Sequence, residues 1–216
     1  MDMGNRMGKV WERAVLQLMV FCGIALLAGQ VVAAGKPVLL VFGDSLSAGY
    51  GIAANQAWPV RLESELARNG KPYTVVNASV SGETTDGGLT RFPQALKIHK
   101  PKLVIIELGA NDGLRGLPVT KAKSNLGAMI AAAQKAGAKV HLVGMQMPPN
   151  YGPDYTRAFA AMYPALAKQY RAGLTPFLLA PVINRPDWFQ PDQLHPVADA
   201  QPAIAAMIAR DLAPLL

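Results

Sequence analysis

Cysteine is almost missing from the chain: Cys22 is the only one in 216 residues. That excludes a disulfide framework and any metal site built on paired thiolates. Cys22 also falls in the first 34 residues, where Arg6, Lys9 and Arg13 precede an uncharged run from Ala14 to Leu27 and small residues follow at Val32-Ala33-Ala34. This is the layout of a secretory signal peptide cut after Ala34 or one residue earlier. Phe21 stands where a lipoprotein signal needs a small residue, so lipid attachment at Cys22 is not expected. The apolar core is short for an uncleaved membrane span, which takes roughly 20 residues. The expectation is a periplasmic or secreted protein with a signal peptide over 1–34 and a mature domain over 35–216 that lacks thiol chemistry.

Charge is scarce too. Asp, Glu, Lys and Arg make up 16% of the chain against 51% hydrophobic residues, ample for one domain with a sizeable core. The net charge is +7, of which the leader contributes +1. Lysine and arginine are scattered singly and never form a run, which reads as a solvated surface with no nucleic-acid partner and at most peripheral attraction to anionic lipid. His99 and His141 lie on segments other than that of His195, and no ligand-spaced cluster joins them to Asp44 or Asp192, so neither a metal nor another cofactor is expected. Repeats and internal linkers are absent.

What is present is an alternation of strands and helices. Val38 to Phe42 is an apolar run that stops at Gly43-Asp44-Ser45, as a strand buried on both faces does when it ends in a turn. Further strands are expected at Tyr73–Ala78, Leu103–Leu108, Val140–Gly144 and Thr175–Leu179. Between them, helical spacing predicts helices within 55–69, over 87–99 and 121–135, over 154–171 with Pro164 kinking or splitting it, and over 199–212. This order calls for an α/β fold, a parallel sheet with helices on both faces.

In such a sheet every strand's carboxyl end faces one edge, so Ser45, Gly82 and Asn111 can converge there. Asp192-Gln193-Leu194-His195-Pro196 precedes the last helix and can place His195 over the same edge. Serine needs an adjacent base to attack at neutral pH. His195 can be that base, and Asp192 can accept its other ring N–H and fix the tautomer. The backbone N–H groups of Ser45 and Gly82 and the side-chain amide of Asn111 suit an oxyanion site. Gly82 is read as glycine because a side chain would block an acyl oxygen. The bland alternative for Asp44 and Ser45 is that they cap the following helix.

Gly43-Asp44-Ser45-Leu46-Ser47, Gly82, Gly109-Ala110-Asn111-Asp112 and Asp192-Gln193-Leu194-His195 resemble the four blocks of the SGNH, or GDSL, hydrolase superfamily. Glu107-Leu108-Gly109, Asn111 to Gly116, Pro148 to Gly152 and Asp199-Ala200-Gln201-Pro202 extend the resemblance to its periplasmic thioesterase I/lysophospholipase/arylesterase branch. The resemblance implies a single three-layer α/β/α domain with a flavodoxin-like parallel five-stranded sheet. It implies hydrolysis of fatty-acyl esters and thioesters through an acyl-serine intermediate, without a metal, by a monomer. It makes Ser45, Asp192 and His195 catalytic, Ser45, Gly82 and Asn111 the oxyanion hole, and Asp44 structural. Asp112, Gly113, Leu114, Met147, Pro148 and Tyr151 then bind substrate, the acyl loop covering 112–120. The rival readings are an extracellular carbohydrate deacetylase of the same superfamily and a non-catalytic lipid-binding module.

Overall fold

The apolar runs pair as one parallel sheet. The computed structural model describes residues 35–216; the leader reading concerns 1–34 and lies outside the described residues. Strands β1 (Val38–Gly43), β2 (Thr74–Asn77), β3 (Leu103–Glu107), β4 (Lys139–Val143) and β5 (Gly173–Thr175) lie in the order β2-β1-β3-β4-β5. Leu39 to Phe42 and Leu103 to Ile106 are wholly buried. Burial on both faces explains why these strands read as continuous apolar runs instead of alternating patterns.

The helices are α1 (Ser45–Ala48), α2 (Trp58–Arg68), α3 (Thr85–His99), α4 (Ala110–Leu114), α5 (Val119–Lys135), α6 (Pro153–Tyr170) and α7 (Gln201–Leu212). α2 packs on α7 across one face, and α3, α5 and α6 lie in a row on the other. The layers are therefore α/β/α. Trp58 N–H donates to Gln201 Oε1 at 3.0 Å, tying the start of α2 to the start of α7.

The fifth strand is shorter and earlier than its apolar run suggests. Pairing ends at Thr175 because Pro176 has no N–H to give the ladder. Leu178 and Leu179 are buried instead in the turns that follow, with Leu178 N–H on Gly144 O at 2.9 Å. α6 runs unbroken through Pro164. Pro164 is exposed, so the carbonyl it leaves unpaired one turn back is not sealed in the core, while Phe159, Met162, Tyr163 and Leu166 hold the helix to the sheet.

The strand order reverses around β1: β2 lies on one side of it and β3 on the other. A crevice at the carboxyl ends of β1 and β3 is the expected ligand site of such a sheet. Ser45 follows β1 and Asn111 follows β3, so both open onto it.

Candidate active site

Ser45 is the first residue of a single helical turn, not part of an open turn. Asp44 caps that turn, its Oδ1 accepting from Leu46 N–H at 3.1 Å. Capping is thus real for Asp44 and not for Ser45, whose hydroxyl is free for other work. Gly43 leaves room behind the turn: a Cβ there would sit 2.7 Å from Glu107 Oε2 and 2.8 Å from Ser47 Oγ. Glu107 fills that space, fully buried, with Oε2 accepting from Ser47 Oγ at 2.7 Å and Oε1 unpartnered. Burial, with the Asp44 carboxylate beside it, pushes the Glu107 carboxyl well above the usual carboxylate range. Burial also raises Asp44, to about 6, against the pull of its bond from Leu46 N–H. Sequence reasoning overlooked Glu107 as a site component; its signal was the one acid inside an apolar strand.

His195 comes from a hairpin-like loop. Gln190 N–H donates to His195 O at 2.8 Å and Val197 N–H to Trp188 O at 2.9 Å. Within it Asp192 Oδ1 accepts from the N–H groups of Leu194 (2.9 Å) and His195 (3.0 Å), while Oδ2 lies 2.7 Å from His195 Nδ1. These bonds, the backbone bond from His195 foremost, lower Asp192 to about 2. Its carboxylate therefore stays ionised and favours the Nδ1–H tautomer of His195. Nε2 then faces Ser45 Oγ at 2.8 Å and can accept its proton. The Tyr50 ring lies on the imidazole with centroids 4.6 Å apart. Gln190 Nε2 donates to Tyr50 O at 2.7 Å, and its amide passes so close to Gly51 that a Cβ there would meet it at 2.1 Å.

On the oxyanion side, neither the Ser45 nor the Gly82 N–H has a protein acceptor among the described residues. Asn111 Nδ2, by contrast, has both hydrogens engaged, on Asp44 Oδ2 at 3.1 Å and Glu83 O at 3.0 Å. Arg115 Nη2 donates to Gly82 O at 3.1 Å, so the loop after β2 is tied twice to α4. Gly82 has φ +79°, and a Cβ there would meet nothing within 4 Å. In the protein itself the demand for glycine comes from the left-handed backbone, not from crowding.

A cavity of about 280 Å³ opens beside Ser45. Leu114, Met147 and Pro148 line it as expected, together with Met145, and with Leu179 and Ile183, which the sequence did not single out. Three of the expected substrate residues lie outside the lining. Asp112 is buried and anchors the start of α3, accepting from Thr85 N–H at 2.8 Å and Thr85 Oγ1 at 2.6 Å. Gly113 is packed under Met147, whose Sδ a Cβ would meet at 2.3 Å. Tyr151 turns its hydroxyl to Leu114 O at 2.9 Å. No group of three or more His, Cys, Asp or Glu side chains suited to a metal occurs among the described residues.

Residues 41–201 match the GDSL-like Lipase/Acylhydrolase family. An arylesterase of Vibrio mimicus is 48% identical over 174 residues, 81% of this chain and 87% of that protein. The thioesterase 1/protease 1/lysophospholipase L1 of Escherichia coli K12 is 44% identical over 184 residues, 85% of this chain and 87% of its own. A crystal structure of TesA superposes with a TM-score of 0.80 at 47% identity, covering 83% of this chain and 99% of that one. The four sequence blocks, the β2-β1-β3-β4-β5 sheet and these relatives agree: the chain belongs to the GDSL-like lipase/acylhydrolase family.

Proposed function

We propose that the protein is a serine hydrolase of carboxylic esters and thioesters of fatty acyl groups. The observation that carries this is the continuous relay Asp192–His195–Ser45, with gaps of 2.7 and 2.8 Å, at the mouth of an apolar cavity. Ser45 Oγ attacks the acyl carbon as its proton passes to His195 Nε2. The developing oxyanion takes the N–H groups of Ser45 and Gly82. Asn111 joins them by giving up its bond to Glu83 O while Asp44 keeps the amide oriented. His195 then protonates the leaving alcohol or thiol, and water, deprotonated by His195, releases the acid from Ser45. Leu114, Met147 and Pro148 contact the acyl chain.

The arylesterase and thioesterase/lysophospholipase names of the relatives support this substrate class. The largely apolar cavity favours aliphatic acyl groups over the deacetylation of carbohydrate. We place the mature enzyme, residues 35–216, as a monomer in the periplasm or outside the cell after removal of 1–34; terminal sequencing and sedimentation of the exported protein test that assignment.

The functional test is hydrolysis of p-nitrophenyl esters from acetyl to palmitoyl, and of acyl-CoA, by the mature domain and by Ser45→Ala. Turnover that favours medium or long chains and vanishes in the variant supports the reading. Activity confined to acetyl esters favours the carbohydrate deacetylase. Acyl-chain binding without turnover in the parent favours the binding module.

A further inference from the structure

Exposed large apolar side chains are concentrated at one place among the described residues. Leu114, Ile183 and Leu194 line the cavity, Tyr50 lies against His195, Leu117 shares a loop with Leu114, and Val80 shares one with Gly82, whose carbonyl Arg115 holds; Val60 and Ile98 lie elsewhere, on α2 and α3. Single exposed leucines need no explanation, but a group gathered around a site mouth does. Leu114, Ile183 and Leu194 are 36%, 48% and 44% exposed and also line the cavity. These three side chains therefore carry apolar surface from solvent into the cavity beside Ser45. Tyr50, 54% exposed, adds the face beside His195.

Arg115 supplies an exposed positive charge within this surface, while the Asp192 carboxylate, two residues before Leu194, is turned to His195 Nδ1. Arg115 is exposed between Leu114 and Leu117 and makes no ion pair among the described residues; one of its nitrogens holds Gly82 O. The chain as a whole carries +7. A soluble ester would reach Ser45 through the cavity alone and gives no reason for apolar side chains outside it. A lipid surface does, because the same residues that dip into the acyl layer continue into the cavity wall, and a guanidinium among them meets the phosphates.

We propose that these six side chains form a docking collar that seats the cavity mouth on an anionic phospholipid surface, so that an acyl chain passes from the lipid layer into the cavity without crossing water. The inference rests on the acyl-ester reading above and extends it to where the substrate is met.

The test uses the Ser45→Ala mature domain, which cannot consume lipid, in cosedimentation with vesicles of phosphatidylcholine with and without phosphatidylglycerol. The expected result is binding to the phosphatidylglycerol vesicles that falls at least about tenfold when Leu117→Ser and Leu194→Ser are added, with an unchanged melting temperature. A Leu117→Trp variant gives a second reading that needs no loss of binding: its emission shifts to the blue when those vesicles are added. No binding to either vesicle overturns the proposal, as does binding that the two serines leave undiminished or self-association that covers the collar. Hydrolysis of p-nitrophenyl butyrate by the parent separates the two ideas. Turnover without vesicle binding sinks the collar alone, and vesicle binding without turnover sinks the hydrolase reading.

Discussion

Asp44 Oδ2 accepts a hydrogen bond from Asn111 Nδ2 at 3.1 Å. The acid that caps the helical turn of Ser45 thereby also fixes which way the Asn111 amide faces. Glu107 completes the arrangement from below, taking the Ser47 hydroxyl and, at 3.4 Å, the Asp44 N–H. The Ser45 turn, the Asn111 amide and two buried carboxyls form one unit, and a change in one member should be felt by the others.

Asp44→Asn tests that unit. Its Oδ1 is still needed by Leu46 N–H, so the new Nδ2 would face the Nδ2 of Asn111, donor against donor. Rotation of the Asn111 amide relieves the conflict and turns its oxygen toward the developing oxyanion. We expect kcat to fall about 10²-fold with KM little changed, and Asn111→Ala to fall 10²–10³-fold, as removal of one oxyanion donor does. The double variant should be no slower than Asn111→Ala alone. Additive losses in steady-state kinetics would separate the two residues.

The pH dependence follows from the same groups. Asp192 stays ionised down to about pH 2 and so does not shape the acid limb. His195 must be neutral to take the Ser45 proton. Asp44, raised to about 6 by burial, is protonated below that value and then holds Asn111 less firmly. Between about pH 5 and 8 kcat/KM should therefore rise with pH, with an acid limb steeper than one proton accounts for. Asp44→Asn should reduce the limb to a single titration. A flat profile with chemistry rate-limiting would count against His195 as the base.

The parts of this site that the sequence displays are those carried by the backbone. Ser45, Asn111 and His195 each stand where an apolar run or a proline-flanked loop ends, and sheet topology brings such ends together. The cavity wall is different. Leu179 and Ile183 come from turns after β5 whose path is set by packing, and no periodicity marks them. Asp112, in α4, and Tyr151, in the separate segment 149–151, belong to motif-bearing stretches, but hydrogen bonds from Thr85 and to Leu114 hold them outside the cavity lining. Pro164 shows the converse, a strong local breaker overruled by the buried flank of α6.

Leu179 is nearly buried in that wall. Leu179→Phe removes space at a fixed distance from Ser45 and leaves the Asp192–His195–Ser45 relay untouched. We expect kcat/KM for octanoyl and longer esters to drop about tenfold or more, the scale of one or two lost methylene contacts, while butyryl hydrolysis stays within about twofold. Equal losses at every chain length would mean that acyl chains do not occupy this cavity.

The last prediction concerns stability, away from the site. His141 is wholly buried in β4, its Nε2 2.9 Å from Thr175 Oγ1, whose hydroxyl donates to Asp211 Oδ2 at 2.9 Å. Thr175 Oγ1 must then accept from His141 Nε2–H, which leaves Nδ1 as the ring nitrogen without a partner. Burial, only partly offset by Asp211, lowers His141 to about 4. The unfolded chain binds this proton near pH 6.5 and the folded one only near 4, so acidification through that window favours unfolding. The contribution is complete above about pH 6.5 and lost progressively toward 4, on the order of 3 kcal/mol in all. Asp44 acts in the opposite sense, because its folded form binds a proton already at about 6. The parent's stability curve therefore mixes the two, and the comparison that isolates His141 is with His141→Gln, which keeps a donor for Thr175 and cannot titrate here. In urea unfolding the variant should be less stable than the parent at pH 7 and close that gap by about pH 4.5; parallel curves would show that His141 is not held neutral by the fold.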